Sequence, residues 1–115
     1  MKNNIALAAF DALGQESRLN MFRLIVQRGD AGLTPSEIIE LLGIPAATTS
    51  FHLKELHKAK LLTVLREGRM LRYRPNGKFV NDLIGFLAEN CCGGNPCGLT
   101  TSLVKFPAKS RKART

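Results

Sequence analysis

Hydrophobic positions recur at helical spacing in the first third of the chain. Apolar side chains lie three or four positions apart within residues 5–13, and the same spacing returns in residues 16–28. Gly14 separates the two segments, and a Gly-Asp-Ala-Gly stretch at 29–32 interrupts the second pattern. We therefore predict two helices. The apolar residues at this spacing are Ile5, Ala9, Ala12 and Leu13 in the first, and Leu19, Phe22, Ile25 and Val26 in the second.

Two further helices joined by a glycine turn are predicted next. Thr34-Pro35-Ser36-Glu37 is a capping-box sequence, in which the Thr hydroxyl and the Glu carboxylate each accept a hydrogen bond from a backbone amide of the first turn. It predicts a short helix over residues 35–42. Gly43 supplies a tight turn, and Ile44-Pro45 leads into a fourth helix that runs to about Lys60. The inward face of this helix is predicted to contain Thr49, Leu53 and Leu56.

After Leu61 the pattern changes from helical to extended. Residues 62–65 and 70–74 flank Arg66-Glu67-Gly68-Arg69, an arrangement that predicts a β-hairpin. Pro75-Asn76-Gly77 ends the hairpin, and an apolar stripe at helical spacing then extends to Asn90. The stripe is wide enough to pack on the core and on a second copy of the chain, although a role in the core alone is the alternative. Its members are Phe79, Val80, Leu83, Ile84 and Leu87.

The order of elements predicts a mainly α (α+β) fold, a winged helix-turn-helix with about five helices and a two-stranded β-wing. The chain has 115 residues, of which 44% are hydrophobic, so one domain is expected and an intrinsically disordered protein is excluded. We assign residues 1–90 to this DNA-binding and dimerisation domain and residues 91–98 to a cysteine loop. Residues 99–115 are expected to form a basic, disordered tail, because they are too poor in apolar side chains to order themselves.

Charge is concentrated in two parts of the chain. The net charge is +8, and residues 54–78 contain eight basic but only two acidic side chains, while residues 105–115 contain five basic and no acidic ones. Such blocks are typical of a nucleic-acid partner, although a solvated face is the alternative. The sequence lacks both an apolar stretch of about 18 residues and a secretory start, so we expect a cytoplasmic protein with no membrane partner.

The fourth helix and the hairpin contain the candidate DNA-binding residues. Small and hydroxylated residues at the helix start allow close approach to base edges in the major groove, and Lys54 can reach a phosphate. Arginines of the wing can contact phosphates or a minor groove, with Arg69 at its tip. The set comprises Ala47, Thr48, Ser50, Phe51, His52, Lys54, Arg66, Arg69 and Arg72.

Alternatives remain open within this set. The wing arginines are Arg66, Arg69, Arg72 and Arg74. Because charges on edge strands also prevent aggregation, only about half of these four are expected to touch DNA. Strand alternation places Arg72 and Arg74 on one face. His52 is either a base-edge or phosphate donor or a residue packed beneath the wing, and His57 is expected to be exposed.

The chain resembles the ArsR/SmtB metalloregulatory repressors over roughly residues 5–97. The resemblance is carried by Asp11-Ala12-Leu13-Gly14 with Glu16-Ser17-Arg18-Leu19, by Thr49-Ser50-Phe51-His52-Leu53-Lys54-Glu55-Leu56, and by Arg69-Met70-Leu71-Arg72-Tyr73. It implies a homodimer that represses a resistance operon from an inverted-repeat operator and loses affinity when an effector binds. It also implies an interface formed by the first and last helices. On these helices we expect Ile5, Leu7, Phe10, Phe79, Leu83, Ile84 and Leu87 to contact the partner.

A cysteine cluster follows the last helix. Cys91 and Cys92 are adjacent, and Gly93-Gly94 lets the chain fold back so that Cys97 can supply a third sulfur. Three sulfurs suit a soft, three-coordinate ion such as As(III) or Sb(III), whereas zinc would require a fourth ligand. An odd number of cysteines in a reducing compartment argues against a disulfide framework. Packing at the helix end and a thiol redox switch are the alternatives.

These cysteines look like those of the family members that sense trivalent arsenic through cysteines located after the last helix. The other effector sites of the family are absent, because residues 34–42 contain no Cys and residues 77–90 contain no His. We therefore expect an arsenite-responsive transcriptional repressor, with redox sensing or selectivity for methylarsenite as alternatives. An enzyme is not expected, because no base is placed by sequence beside the thiols.

Overall fold

The computed structural model describes residues 1–89 and residue 93. The predicted ligands Cys91, Cys92 and Cys97 and the predicted basic tail at 99–115 lie outside the described residues. The described elements are α1 (Asn3–Leu13), α2 (Glu16–Arg28), a 3-10 turn (Gly29–Ala31), α3 (Pro35–Leu42), α4 (Ala46–Lys58), β1 (Leu62–Glu67), β2 (Met70–Pro75) and α5 (Gly77–Leu87). The predicted winged helix-turn-helix, mainly α with a β-wing, is confirmed.

The chain divides into two compact units. One consists of residues 2–76 and holds the elements from α1 to β2, and the other contains, among the described residues, Met1 and α5. Within the second unit, Lys78 Nζ lies 3.1 Å from Asp82 Oδ2, one turn along α5. The core of the first unit is aliphatic. Its largest fully buried apolar side chains are Met21, Ile25, Leu33, Ile38, Leu53, Leu56, Leu61 and Leu62.

Local interactions define α3 and the turn after it. The Thr34 amide donates to Glu37 Oε1 at 2.8 Å, and the Glu37 amide donates to Thr34 Oγ1 at 3.3 Å, which completes the predicted capping box. Gly43 ends the helix in the left-handed conformation (φ 68°, ψ 26°), and its amide donates to the Ile39 carbonyl at 2.8 Å. The predicted bounds of α3 are confirmed.

The hairpin turn is tighter than the sequence predicted. Arg66 and Glu67, expected between the strands, belong to β1, and Glu67 pairs with Met70 across the turn. Only Gly68 and Arg69 connect the strands. This length suffices because Gly68 adopts a φ of 64° at the first central position, as a two-residue hairpin turn of the type II′ class requires.

A third segment pairs with the wing, which the sequence did not predict. Leu33 forms an antiparallel bridge with Tyr73 of β2, and the two residues exchange backbone hydrogen bonds of 2.9 Å in both directions. Gly32 precedes this bridge with a φ of 64° and passes so close to β2 that a Cβ would lie 2.5 Å from the Tyr73 carbonyl oxygen. The base of the wing is therefore fixed to the segment that leads into α3.

Two predicted helix ends need correction. In α2, Leu19 belongs to the apolar repeat but is 41% exposed, because the buried face is centred between Met21 and Phe22 and leaves Leu19 at its edge. The fourth helix ends at Lys58 rather than near Lys60, because Lys60 adopts a φ of 73°, which no helix continues. The last helix ends at Leu87, three residues before the predicted end. No helix in the described part of the chain is long and apolar enough to cross a membrane.

Candidate nucleic-acid interface

Helix α4 has one buried and one exposed face. Thr49, His52, Leu53 and Leu56 are buried, as the predicted inward positions require. The opposite surface presents the predicted base-edge residues together with Lys54. The side chains of Ala47, Thr48, Ser50, Phe51 and Lys54 are all exposed.

The turn between α3 and α4 is held by a buried threonine. Thr49 is fully buried, its amide donates to the Pro45 carbonyl at 2.9 Å, and its hydroxyl donates to the Ile44 carbonyl at 3.4 Å. The first bond begins the helical ladder of α4, and the second satisfies the Ile44 carbonyl, which lies outside the helix. Because α3 packs on α4, the angle between the two helices and the position of the exposed α4 face are fixed together.

The wing arginines divide into two pairs. Arg66 and Arg69 are exposed, and Arg66 Nη1 makes a long hydrogen bond of 3.4 Å to the Gly68 carbonyl. Arg74 is half-buried, and within the described structure its buried Nε has no hydrogen-bond partner. Arg66 and Arg69 are thus the most exposed of the wing arginines, and the expectation that about half of the arginines touch DNA stays a prediction.

Arg72 is held by groups of the protein itself. Its Nε donates to Glu67 Oε1 at 2.9 Å, and its Nη1 donates to the Ala31 carbonyl at 3.2 Å and lies 3.8 Å from Glu37 Oε1. The Thr34 amide, more than the Arg72 charge, holds the pKa of Glu37 below its ordinary value, so this carboxylate stays ionised. Arg72 therefore connects the wing to α3 and the 3-10 turn, and the role in DNA contact expected for it stays a prediction.

His52 lies on the buried face of α4. The Arg18 guanidinium lies 3.3 Å from His52 Nδ1, and because a guanidinium only donates, Nδ1 is the acceptor and carries no proton. Burial, and then the Arg18 charge, lower the pKa of His52 below its ordinary value. This geometry favours the packing role over a contact with DNA. No sequence pattern indicated the contact with Arg18, which lies 34 positions earlier in the chain.

The Arg18–His52 pair lies beside Phe51, the residue before His52 in α4. Arg18 Nε donates to the Ala12 carbonyl at 2.7 Å, so the guanidinium is fixed at the end of α1. The Phe51 and His52 ring centroids lie 5.6 Å apart, with an interplanar angle of 55°. His57 is exposed, as expected.

The residues expected at a dimer interface differ in exposure. Leu7 on α1 is 66% exposed and Leu87 on α5 is 62% exposed, and Phe10 is also an exposed large hydrophobic residue. Ile5, Phe79 and Ile84 are partly exposed, whereas Leu83 is buried. The interface stays a prediction at all seven positions.

The expected effector site cannot be located in the described residues, which exclude its three cysteines. Within residues 1–89 and 93, no group of three His, Cys, Asp or Glu side chains is arranged to hold a metal ion.

Known proteins share the fold of this chain. The sequence matches the family described as helix-turn-helix domain over residues 13–64, which span α2 to β1. No curated protein sequence matches it. An ArsR-like transcriptional regulator from a Rhodococcus species is similar in structure, with a TM-score of 0.67 and 23% identity over 79% of this chain and 82% of that chain.

Two other solved structures are similar. HlyU from Vibrio cholerae has a TM-score of 0.61 and 23% identity, covering 80% of this chain and 99% of that chain. A homodimeric winged helix-turn-helix DNA-binding domain from Mycobacterium bovis, described as a possible ArsR-family transcriptional regulator, has a TM-score of 0.61 and 24% identity, covering 82% and 87%. The chain therefore contains a helix-turn-helix domain and has the winged fold that these proteins share.

Proposed function

We propose that the protein is a transcriptional repressor of the ArsR/SmtB type. It binds operator DNA as a homodimer and releases it when As(III) or Sb(III) binds Cys91, Cys92 and Cys97. The observation that carries the DNA-binding part is the exposed α4 face. It lies on the second helix of a helix-turn-helix, the element that enters the major groove in this motif.

Charge supports the same conclusion. Lys54 on α4 and Arg66 and Arg69 on the wing are exposed and suited to phosphate contacts on either side of a groove. Within residues 54–78 the basic side chains outnumber the acidic ones by eight to two. Binding is therefore expected to weaken steeply with salt.

A dimer is supported by exposed apolar side chains and by geometry. Leu7 and Phe10 on α1 and Leu87 on α5 place large apolar groups in water, which association with a second copy would remove. One winged domain reads one half-site, and two-fold symmetry presents two α4 helices to the same side of a duplex. The similar Mycobacterium bovis domain is a homodimer.

The effector assignment is supported by donor chemistry alone. Three thiols within seven residues, interrupted by Gly93-Gly94, form a soft donor set that fits a trivalent metalloid. Coupling between effector and DNA sites is typically about 1 to 3 kcal/mol, which corresponds to a loss of operator affinity of about 5- to 150-fold.

The test is a release titration. A duplex enriched by the protein from a random library is labelled and bound by the reduced protein, and arsenite, methylarsenite, antimonite and zinc are added in separate titrations while fluorescence anisotropy is followed. Arsenite and antimonite should release the duplex, and zinc should not. Release by zinc alone would refute the metalloid assignment, and release by the thiol oxidant diamide alone would favour the redox alternative.

A cysteine variant tests the third ligand. Cys97→Ser should bind the duplex with wild-type affinity and lose most of its response to arsenite, because two sulfurs remain. Cys97→Ser should keep its response to methylarsenite under either assignment, because that species needs only two sulfurs. A wild-type protein that responds to methylarsenite and not to arsenite would favour the methylarsenite-selective alternative. An arsenite response equal to that of the wild type would remove Cys97 from the site.

A further inference from the structure

The exposed face of α4 has an unusual chemical character for a helix that enters a groove. Between residues 46 and 51 its exposed side chains are alanine, threonine, serine and phenylalanine, and the first exposed charge along the helix is Lys54. Helix α4, which the structure describes throughout, contains no Arg, Asn or Gln. Of the side chains that read guanine or adenine with two hydrogen bonds, Arg, Asn and Gln are thus absent from α4, and the first exposed lysine, Lys54, lies one turn beyond the stretch at the helix start.

One base-edge group matches the remaining chemistry. Thymine presents a C5-methyl group in the major groove, and apolar side chains contact it, whereas serine and threonine hydroxyls accept several bases. Ala47 and Phe51 are four residues apart, so they share one face of α4 and lie about 6 Å apart along its axis. That distance corresponds to about two base-pair steps at about 3.4 Å each.

Contacts within the protein support the Phe51 ring in an exposed position, where it can touch a thymine methyl group. Its ring is 55% exposed although phenylalanine is among the most buried residue types, and it lies against the ring of His52. His52 is in turn fixed by the Arg18 guanidinium, which is bonded to the Ala12 carbonyl. The exposed ring therefore rests on a buried, hydrogen-bonded support, which reduces the ordering that contact with DNA would demand.

We propose that Phe51, together with Ala47, recognises thymine methyl groups in the major groove of each half-site. The operator then carries thymine at the positions that face the start of α4, and apolar contact rather than paired hydrogen bonds discriminates there. This inference rests on the proposed function, because it requires that α4 enters DNA. To the proposed function it adds the thymine methyl group as the base-edge group that is recognised, and Phe51 with Ala47 as the residues that recognise it.

The test uses the full chain and the duplex that it enriches from a random library. Each thymine of a half-site is replaced by deoxyuridine, which removes the methyl group and keeps the base pairing. For the wild type, each methyl group buried against Phe51 or Ala47 should be worth about four-fold in affinity, the value of one buried methylene. For Phe51→Ala, substitution of the thymine that faces Phe51 should have no effect.

Matched controls separate this contact from general effects. Phe51→Leu keeps an apolar side chain and should keep the dependence on the methyl group, and deoxyuridine in the spacer between half-sites should change nothing. Because Phe51 is exposed, Phe51→Ala should unfold at the same urea concentration as the wild type. Equal losses for wild type and Phe51→Ala on every substituted duplex would overturn the inference and leave DNA binding intact. Failure to enrich any duplex would overturn the inference and the proposed function together.

Discussion

Substitution of Gly32 by alanine should destabilise the protein far more than the same change at Gly29. Both glycines have a positive φ with an extended ψ, 64° and −174° at Gly32 and 74° and −146° at Gly29, a region that is nearly restricted to glycine. The backbone strain of an alanine is therefore similar at the two sites, about 1 to 3 kcal/mol. Their surroundings differ.

The surroundings supply the additional cost at Gly32. An added Cβ would lie 2.5 Å from the Tyr73 carbonyl oxygen and 2.7 Å from Arg74 Cγ, whereas at Gly29 it would meet nothing within 4 Å. The clash with the carbonyl is relieved only if the strand moves, which breaks the two 2.9 Å hydrogen bonds between Leu33 and Tyr73. At about 0.5 to 1.5 kcal/mol each, these bonds add about 2 kcal/mol.

Urea unfolding followed by circular dichroism measures both variants. Gly29→Ala should lower the free energy of unfolding by about 2 kcal/mol and Gly32→Ala by about 4 kcal/mol, from a total of the order of 5 to 15 kcal/mol. Because the bridge fixes the base of the wing, Gly32→Ala should also bind the enriched duplex more weakly under conditions where it is folded. Equal destabilisation by the two variants would refute the argument that the approach of Gly32 to β2 is tight.

Other outcomes follow from single contacts. Lys60→Gly should raise the free energy of unfolding, measured in urea, by about 0.5 to 1 kcal/mol. The left-handed conformation of lysine costs about 1 to 2 kcal/mol, and the greater chain entropy of glycine in the unfolded state offsets part of the gain. A variant less stable than the wild type would contradict this prediction. Burial and Arg18 lower the pKa of His52, so the folded protein favours the neutral ring, and the stability from this group is present above the ordinary pKa of 6.5 and lost as the pH falls below it. Unfolding free energies at pH 7.5 and 5.5 should therefore differ more for the wild type than for His52→Gln, and identical differences would count against the burial of a neutral ring. Arg69→Ala should reduce the slope of log affinity against log salt by about one. Arg72→Ala should reduce this slope less and should also lower stability, because its guanidinium is bonded within the protein. Anisotropy titrations at several salt concentrations would contradict this difference if Arg72→Ala altered the slope more than Arg69→Ala.

The end of α4 illustrates how local and tertiary influences combine. The Leu61 amide donates to the Leu56 carbonyl at 3.1 Å and the Lys60 amide donates to the His57 carbonyl at 3.0 Å. These two bonds form a Schellman motif, in which glycine usually occupies the left-handed position that Lys60 occupies here. The sequence has lysine there, so the pattern indicated a longer helix. The left-handed conformation of Lys60 is imposed because Leu56 and Leu61 are both fully buried, and because Asn76 Nδ2 donates to the Lys60 carbonyl at 2.9 Å.

Local sequence patterns were sufficient to predict most elements of the fold and the outward face of α4. The capping box at Thr34, the left-handed turn at Gly43 and the alternation of the hairpin depend on groups only a few residues apart, and such interactions are present whatever surrounds them. Helical periodicity likewise fixed which residues of α4 turn inward, and hence that Ser50 and Lys54 turn outward.

Contacts between distant parts of the chain determine which of the candidate residues are already bonded within the protein. His52 meets Arg18, Arg72 meets Ala31 and Glu37, and Leu33 pairs with Tyr73, all across separations of more than 30 positions. A polar side chain at a boundary position has the same sequence pattern whether its partner is DNA or the protein. Its role is settled when folding brings a distant hydrogen-bond partner within reach, because a polar group that is removed from water must find one.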